Sequence, residues 1–161
     1  LIFGNYKNGK IKLKLQNESI ENKDSLLRVS TKEKLLQLME ENVLNGTGKK
    51  AFVEGYRIGG KTATAEKINF IKGGYDKRKL VSSFLSIFPI NDPQYICLVL
   101  FDEPVLEGFS NNNDGATGGK TAAKTTAKII KRIAPILGLE IQNNIEDLLV
   151  KRKKGINFVS Y

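Results

Sequence analysis

The sequence holds no histidine, no tryptophan, one cysteine and four prolines in 161 residues. Without imidazole there is no Ser-His or Cys-His nucleophile and no histidine-bound metal, and a lone Cys97 makes neither an internal disulfide nor a cysteine-rich zinc site. Any catalysis falls to Lys, Ser, Thr, Asp, Glu or backbone groups, with no metal or cofactor expected. No apolar run approaches the roughly 20 residues of a membrane-spanning helix, and no secretory leader is visible. The chain starts at Leu1 and reads as a piece of a longer protein, with any anchor outside it.

What is present fits one globular domain: 40% of residues are hydrophobic and 27% charged. A domain of this size buries roughly 70% of the surface its unfolded chain exposes, so a single core suffices without a staple. Twenty-six Lys and Arg against seventeen Asp and Glu leave a net charge of +9. The basic residues are spread along the chain apart from Lys151, Arg152, Lys153 and Lys154, and no aromatic residues are interleaved with them. A stacking platform for nucleic acid needs that interleaving, so no nucleic-acid partner is expected.

Leu1 to Val29 alternates loosely and reads as an exposed extended strand and loops. Ser30 and Thr31 offer an N-cap, with Glu33 in the first turn, to a helix whose Leu35, Leu36, Leu38, Met39 and Val43 form a core stripe. Asn45-Gly46 would end it with a left-handed residue. A strand is expected near 56–67, and the apolar runs Leu80 to Phe88 and Gln94 to Phe101 are the strongest strands. Only Pro89 to Pro93 separate these two, enough for an antiparallel hairpin and too few for a parallel crossover. Ala116 to Leu137 carries a helical pattern ended or kinked by Pro135, its Ala and Ile face on the sheet and its lysines in water. Ile145 to Val150 is a short candidate helix before a basic tail. Cys97, inside the most apolar strand, reads as an unreactive core thiol, and Asp102 and Glu103 as a surface strand end.

Gly55-Tyr56-Arg57-Ile58-Gly59-Gly60-Lys61-Thr62 spells the phosphate-binding pattern G-x-x-x-x-G-K-T, and the apolar strand before Asp102 resembles its metal-binding partner. That chemistry needs a buried strand before the loop, a helix after it and a parallel sheet. The short Ala51-Phe52-Val53 run, the alternation after Thr62 and the Pro89 to Pro93 hairpin supply none of these. A different reading takes Gly59 to Lys67 as an edge strand. Lys and Thr on such a strand can place an ammonium beside a serine nucleophile, aim a hydroxyl at a carboxylate and present an N–H to an oxyanion, all without histidine.

From roughly Ser30 to Leu139 the chain resembles the C-terminal part of the transpeptidase domain of division-type class B penicillin-binding proteins. The residues that carry the resemblance are Leu38-Met39-Glu40-Glu41-Asn42-Val43, Gly46-Thr47-Gly48, Gly55 to Thr62, Val81 to Phe88, Tyr95 to Pro104 and Gly118-Gly119-Lys120-Thr121-Ala122-Ala123. The resemblance implies an α/β (α+β) fold, an antiparallel sheet covered by helices and part of the fold shared with serine β-lactamases. Residues 1–139 would form the domain portion and 140–161 a basic tail. It also implies a serine acyl-enzyme formed on the D-Ala-D-Ala end of a peptidoglycan stem peptide, trapped by β-lactams and passed to an amine of a neighbouring strand. The parent would sit on the periplasmic side of the inner membrane beside other cell-wall synthesis or division proteins.

That family builds its site from Ser-x-x-Lys, Ser-x-Asn and Lys-Thr-Gly. Only the third has a counterpart here. Lys61 would support proton transfer, Thr62 would bind the terminal carboxylate, and Thr64 would supply the oxyanion N–H and a second hydroxyl, with Gly60 and Ala63 lining the substrate. Ala63 replaces the motif's glycine, and its methyl could narrow the cleft, alter β-lactam fit or be matched by a small residue opposite. No serine here has Lys three positions later, and Ser110-Asn111-Asn112 falls after the lysine strand rather than before it. Two alternatives stand beside this reading: a non-catalytic remnant or interaction module, and a nucleotide-binding protein. The isolated chain is therefore expected to gain no mass when incubated with benzylpenicillin. An adduct in its intact mass spectrum would overturn that expectation.

Overall fold

A computed structural model describes residues 2–7, 10–15, 27–106 and 115–142. The N-terminal segment forms two strands, β1 (Ile2–Lys7) and β2 (Lys10–Leu15), paired antiparallel as a separate two-stranded sheet. The main sheet comprises β3 (Gly59–Ile68), β4 (Tyr75–Phe88) and β5 (Tyr95–Asp102), antiparallel in the order β3-β4-β5. The hairpin deduced from Pro89 to Pro93 is present, and it contains a cis Phe88–Pro89 peptide.

Strand β4 begins at Tyr75, before the apolar run that marks it in the sequence. Its first residues are Tyr, Asp, Lys, Arg and Lys, which carry no alternation to read. The turn that allows the early start is built by Asn69. Its Oδ1 accepts the N–H groups of Ile71 (3.1 Å) and Lys72 (3.0 Å), and Gly73 and Gly74 take positive φ of 73° and 75°.

Helix α1 spans Val29–Leu44 and departs from expectation in three ways. Arg28 is its N-cap without a side-chain cap bond, so Ser30 and Thr31 lie inside the first turn and Glu33 beyond it. At the other end Gly46 does not take positive φ; it stays small because any Cβ there would collide with Asn42. The expected core stripe is also mostly outward. Val43 and Leu44 are buried, Leu36 and Met39 half-buried, and Leu35 and Leu38 exposed. The helix touches the sheet through its C-terminal half, and no described element covers the rest.

The core lies on one face of the sheet. Leu80, Ser82, Phe84, Ser86 and Phe88 alternate inward along β4 and are covered by helix α2 (Ala122–Ile133) through Ala122, Ala123, Thr126 and Ile130. The buried hydroxyls are all satisfied: Ser86 Oγ donates to the Cys97 carbonyl (3.0 Å), Thr126 to the Ala122 carbonyl (2.9 Å) and Ser82 to the Ala116 carbonyl. Cys97 is half-buried on this face, and burial pushes its thiol pKa up. Helix α2 is shorter than its pattern suggests, because Gly118 and Gly119 run in a turn and the chain leaves the helix before Pro135. Its Lys124, Lys128 and Lys131 are in solvent, as expected.

The opposite face carries Leu85, Ile96, Leu98 and Leu100, with Leu98 61% and Leu100 57% exposed. Among the described residues it is open along these side chains, while Met39 of α1 and the buried Ile90 close over its Gly59 end. Ser110-Asn111-Asn112 and Ile145 to Val150 lie outside the described residues. Phe84 is completely buried at the centre of the packed face. Phe84→Ala should destabilise the chain by about 3–5 kcal/mol, read as a lower urea midpoint in circular dichroism.

Candidate active site

Strand β3 is an edge strand, with β4 on one side and no partner strand on the other among the described residues. Its register places Lys61 opposite Leu85, Thr62 opposite Phe84, Ala63 opposite Ser83 and Thr64 opposite Ser82. Side chains alternate, so Lys61 and Ala63 lie on the uncovered face, while Thr62 and Thr64 lie on the face that α2 covers. This strand also disposes of the phosphate-loop reading. Lys61 and Thr62 lie within an antiparallel strand that runs on to Ile68, where a phosphate loop would turn directly into a helix.

The outer edge of β3 is identified by what binds it. Asn42 Nδ2 donates to the Gly60 carbonyl (2.8 Å), and Lys61 Nζ donates to the Thr62 carbonyl (2.7 Å). Main-chain groups of alternate residues in a strand point the same way, so the Thr64 N–H and carbonyl face this edge too. The edge thus offers an ammonium, a backbone N–H and two hydroxyls within four residues.

Three surrounding segments hold this edge in place. The Gly46-Thr47-Gly48 turn wraps Asn42, whose carbonyl accepts the N–H groups of Gly46 (3.0 Å) and Gly48 (3.1 Å). Thr47 Oγ1 donates to Asn42 Oδ1 (3.0 Å) and lies 2.8 Å from Thr62 Oγ1. From the other direction the Gly118 N–H donates to Thr64 Oγ1 (3.1 Å). Gly118 rests on the backbones of Ala63 and Ser83 so closely that a Cβ would collide with the Ser83 carbonyl. The Ala63 methyl points away from that turn, toward the uncovered face, with small Ser83 across from it.

Behind the strand, Arg57 holds Glu40 of α1 in a two-pronged ion pair, Nε to Oε1 and Nη2 to Oε2, both 2.7 Å. The hydrogen bond to Glu40 raises the Arg57 pKa further above its ordinary value. Farther along, Lys67 bridges from β3 to Asp102 (2.8 Å) and Glu103 (2.9 Å), whose hydrogen bonds raise its pKa. The two acids therefore end a strand at the surface, as expected, and are engaged with a lysine. A cavity of about 540 Å³ between residues 52–56 and α2 is lined by no residue of β3.

Asn42, Thr47 and Gly118 are the site neighbours whose role was not legible in the sequence. The signal for all three is local glycine: Gly46 and Gly48 flank Thr47, and Gly118 opens the turn before α2.

With this geometry, the match to known proteins becomes specific. Residues 7–131 match the penicillin binding protein transpeptidase domain family, and the chain belongs to that family. It is similar to the peptidoglycan D,D-transpeptidase FtsI homolog of Chlorokybus atmophyticus, 45% identical over 102 residues, which cover 63% of this chain and 14% of that protein. Among solved structures it resembles the transpeptidase domain of penicillin-binding protein 3 from Burkholderia pseudomallei, with TM-score 0.56 and 29% identity, covering 70% of this chain and 32% of that one. Penicillin binding protein 3 from Mycobacterium tuberculosis, solved in complex with ampicillin, aligns with TM-score 0.56 and 27% identity over 69% of this chain and 25% of its own. The chain thus spans 14% of the curated relative and about a third or less of these solved chains.

The ion pair that anchors α1 to the start of β3 gives a measurable consequence. Arg57→Met leaves the Glu40 carboxylate, itself only 8% exposed, without its partner. Stability should fall by about 3 kcal/mol, the low end for breaking a buried pair because Arg57 is partly solvated. Urea unfolding of the variant beside the parent sequence checks it.

Proposed function

We propose that this chain is the lysine-strand portion of a serine-type peptidoglycan D,D-transpeptidase of the FtsI kind. The observation that carries the reading is the open edge of β3, which carries Lys61, Thr62 and Thr64 within four residues inside a family match running from residue 7 to 131. The nucleophile would come from the part of the parent protein outside this chain. Its serine oxygen attacks the carbonyl of the penultimate D-alanine, the bond to the terminal D-alanine nitrogen breaks, and that amine leaves with a proton. An amine from a neighbouring strand then displaces the serine ester and completes the cross-link.

In this scheme Lys61 supports proton transfer at the serine, and the Thr64 N–H stabilises the oxyanion. Gly60, Thr62 and Ala63 line the bound peptide, with the threonine hydroxyls near its terminal carboxylate. A β-lactam opens on the same serine and stays as the ester. The ampicillin complex of the mycobacterial relative supports that part of the reading. Residues 1–139 belong to the domain and 140–161 form its basic tail. The catalytic domain works outside the cytoplasm, on the periplasmic side of the inner membrane, beside other division or cell-wall proteins.

The bare apolar face of the sheet favours a second reading, a non-catalytic interaction module. Intact mass of the endogenous gene product, isolated with and without benzylpenicillin, separates the two. A protein well above 17.9 kDa that gains one opened β-lactam, and loses that ability in Lys61→Ala, is the expected result. A product near 17.9 kDa without an adduct would overturn the enzyme reading.

A further inference from the structure

Beyond the site, β3 and β4 run out of the sheet as an arm. β5 ends at Asp102, opposite Val81, and past that pair β3 and β4 continue to Ile68 opposite Tyr75. The turn that closes the arm is built rather than loose. The Asn69 N–H donates to the Gly74 carbonyl (2.9 Å), Asn69 Oδ1 takes the Ile71 and Lys72 N–H groups, and Gly73 and Gly74 supply the positive φ. This turn holds Phe70 and Ile71 in solvent, 90% and 97% exposed, and Ile68 and Tyr75 just behind them are exposed as well. One exposed apolar side chain is ordinary, whereas four at one tip form a patch.

Behind the tip the pairing slips. Glu66 pairs with Leu80 and the next residue, Lys67, with Asp76, so Lys77, Arg78 and Lys79 have no counterpart on β3 and form a bulge. Asp76 Oδ1 accepts the Arg78 N–H (3.0 Å) and fixes its shape. Residues 66–79 hold five basic and two acidic side chains, and Lys72 and Lys77 make no ion pair among the described residues.

We infer that this arm is an interfacial anchor, placing Phe70 and Ile71 in an anionic phospholipid surface with Lys72 and the basic bulge at the level of the phosphates. A bilayer presents acid groups outside and hydrocarbon beneath, the reverse order of the arm's collar and tip, and such anchors enter about 5–10 Å. Two strand residues, the step from Lys77 to Tyr75, span about 7 Å. The preformed turn loses little freedom on entry. The inference goes beyond the transpeptidase reading and does not depend on it.

The chain has no tryptophan, so Phe70→Trp puts a single emitter at the tip. In the 161-residue chain its emission should move to shorter wavelength with vesicles of phosphatidylglycerol and phosphatidylcholine, and lipids brominated on their acyl chains should quench it. A net charge of +9 adsorbs to any anionic surface, so insertion is separated from adsorption at constant charge. Phe70→Ser combined with Ile71→Ser should weaken cosedimentation with the vesicles at least about tenfold. Lys72→Gln and Lys77→Gln should each weaken it about fivefold, and Lys124→Gln on α2 less than about twofold. An unshifted Phe70→Trp emission, or a double serine variant that sediments like its parent, would overturn the inference. So would a shift for Leu98→Trp in place of Phe70→Trp, which would assign the contact to the bare face of the sheet, or a Phe70→Trp shift produced by an acidic protein and never by lipid. Acylation of the parent protein by benzylpenicillin, the test of the enzyme reading, is independent of each of these outcomes.

Discussion

The ring of Phe84 occupies the space that a side chain at position 60 would need. That exclusion governs the site. Because Gly60 has no Cβ, β3 can lie flush against β4 over the packed face, and its carbonyl comes within 2.8 Å of Asn42. The register then follows residue by residue, with Lys61 and the two threonines set on opposite faces of the same edge. Glycine in a strand costs backbone entropy and packing area, and here the cost is offset by a fully buried aromatic ring beneath it.

Position 57 extends the same logic outward. Its side chain grips Glu40 on α1, while its carbonyl accepts the Ile90 N–H from the β4–β5 hairpin at 2.9 Å. One residue thus ties the helix, the approach to β3 and the hairpin together. Edge strands are ordinarily loose and prone to slip. This one is anchored at its start by Arg57, along its length by Asn42 and Gly118, and near its end by the Lys67 bridge to β5.

Much of this was legible beforehand. Alternation and loop length specify the antiparallel β4–β5 hairpin, and the Gly59 to Lys67 pattern specifies an edge strand carrying Lys61. The misses share a cause. The α1 stripe of Leu35 and Leu38 looks like core because periodicity reports which residues share a face and says nothing about whether a partner faces them. The cap at Ser30 fails because Arg28 closes the first turn through backbone geometry alone. The early start of β4 is hidden because Tyr75 to Lys79 are polar and exposed on most positions, leaving only the Asn69 and Gly73-Gly74 turn to announce it. The roles of Asn42 and Thr47 stay hidden because they depend on Gly60 and Thr62, eighteen and fifteen residues away, and the flanking glycines mark a turn without naming those partners.

The sheet also has two sides with different histories of constraint. On the side of Phe84 every position is judged by helix α2, and a lost methylene is felt at once. On the side of Leu85, Leu98 and Leu100 the described chain offers nothing to be judged against. Substituting those leucines with polar residues would leave the melting of these 161 residues almost unmoved or even improve their solubility. A deep mutational scan scored on this chain alone would therefore rank half of the sheet as dispensable, and that half is the one that carries the side chain of Lys61.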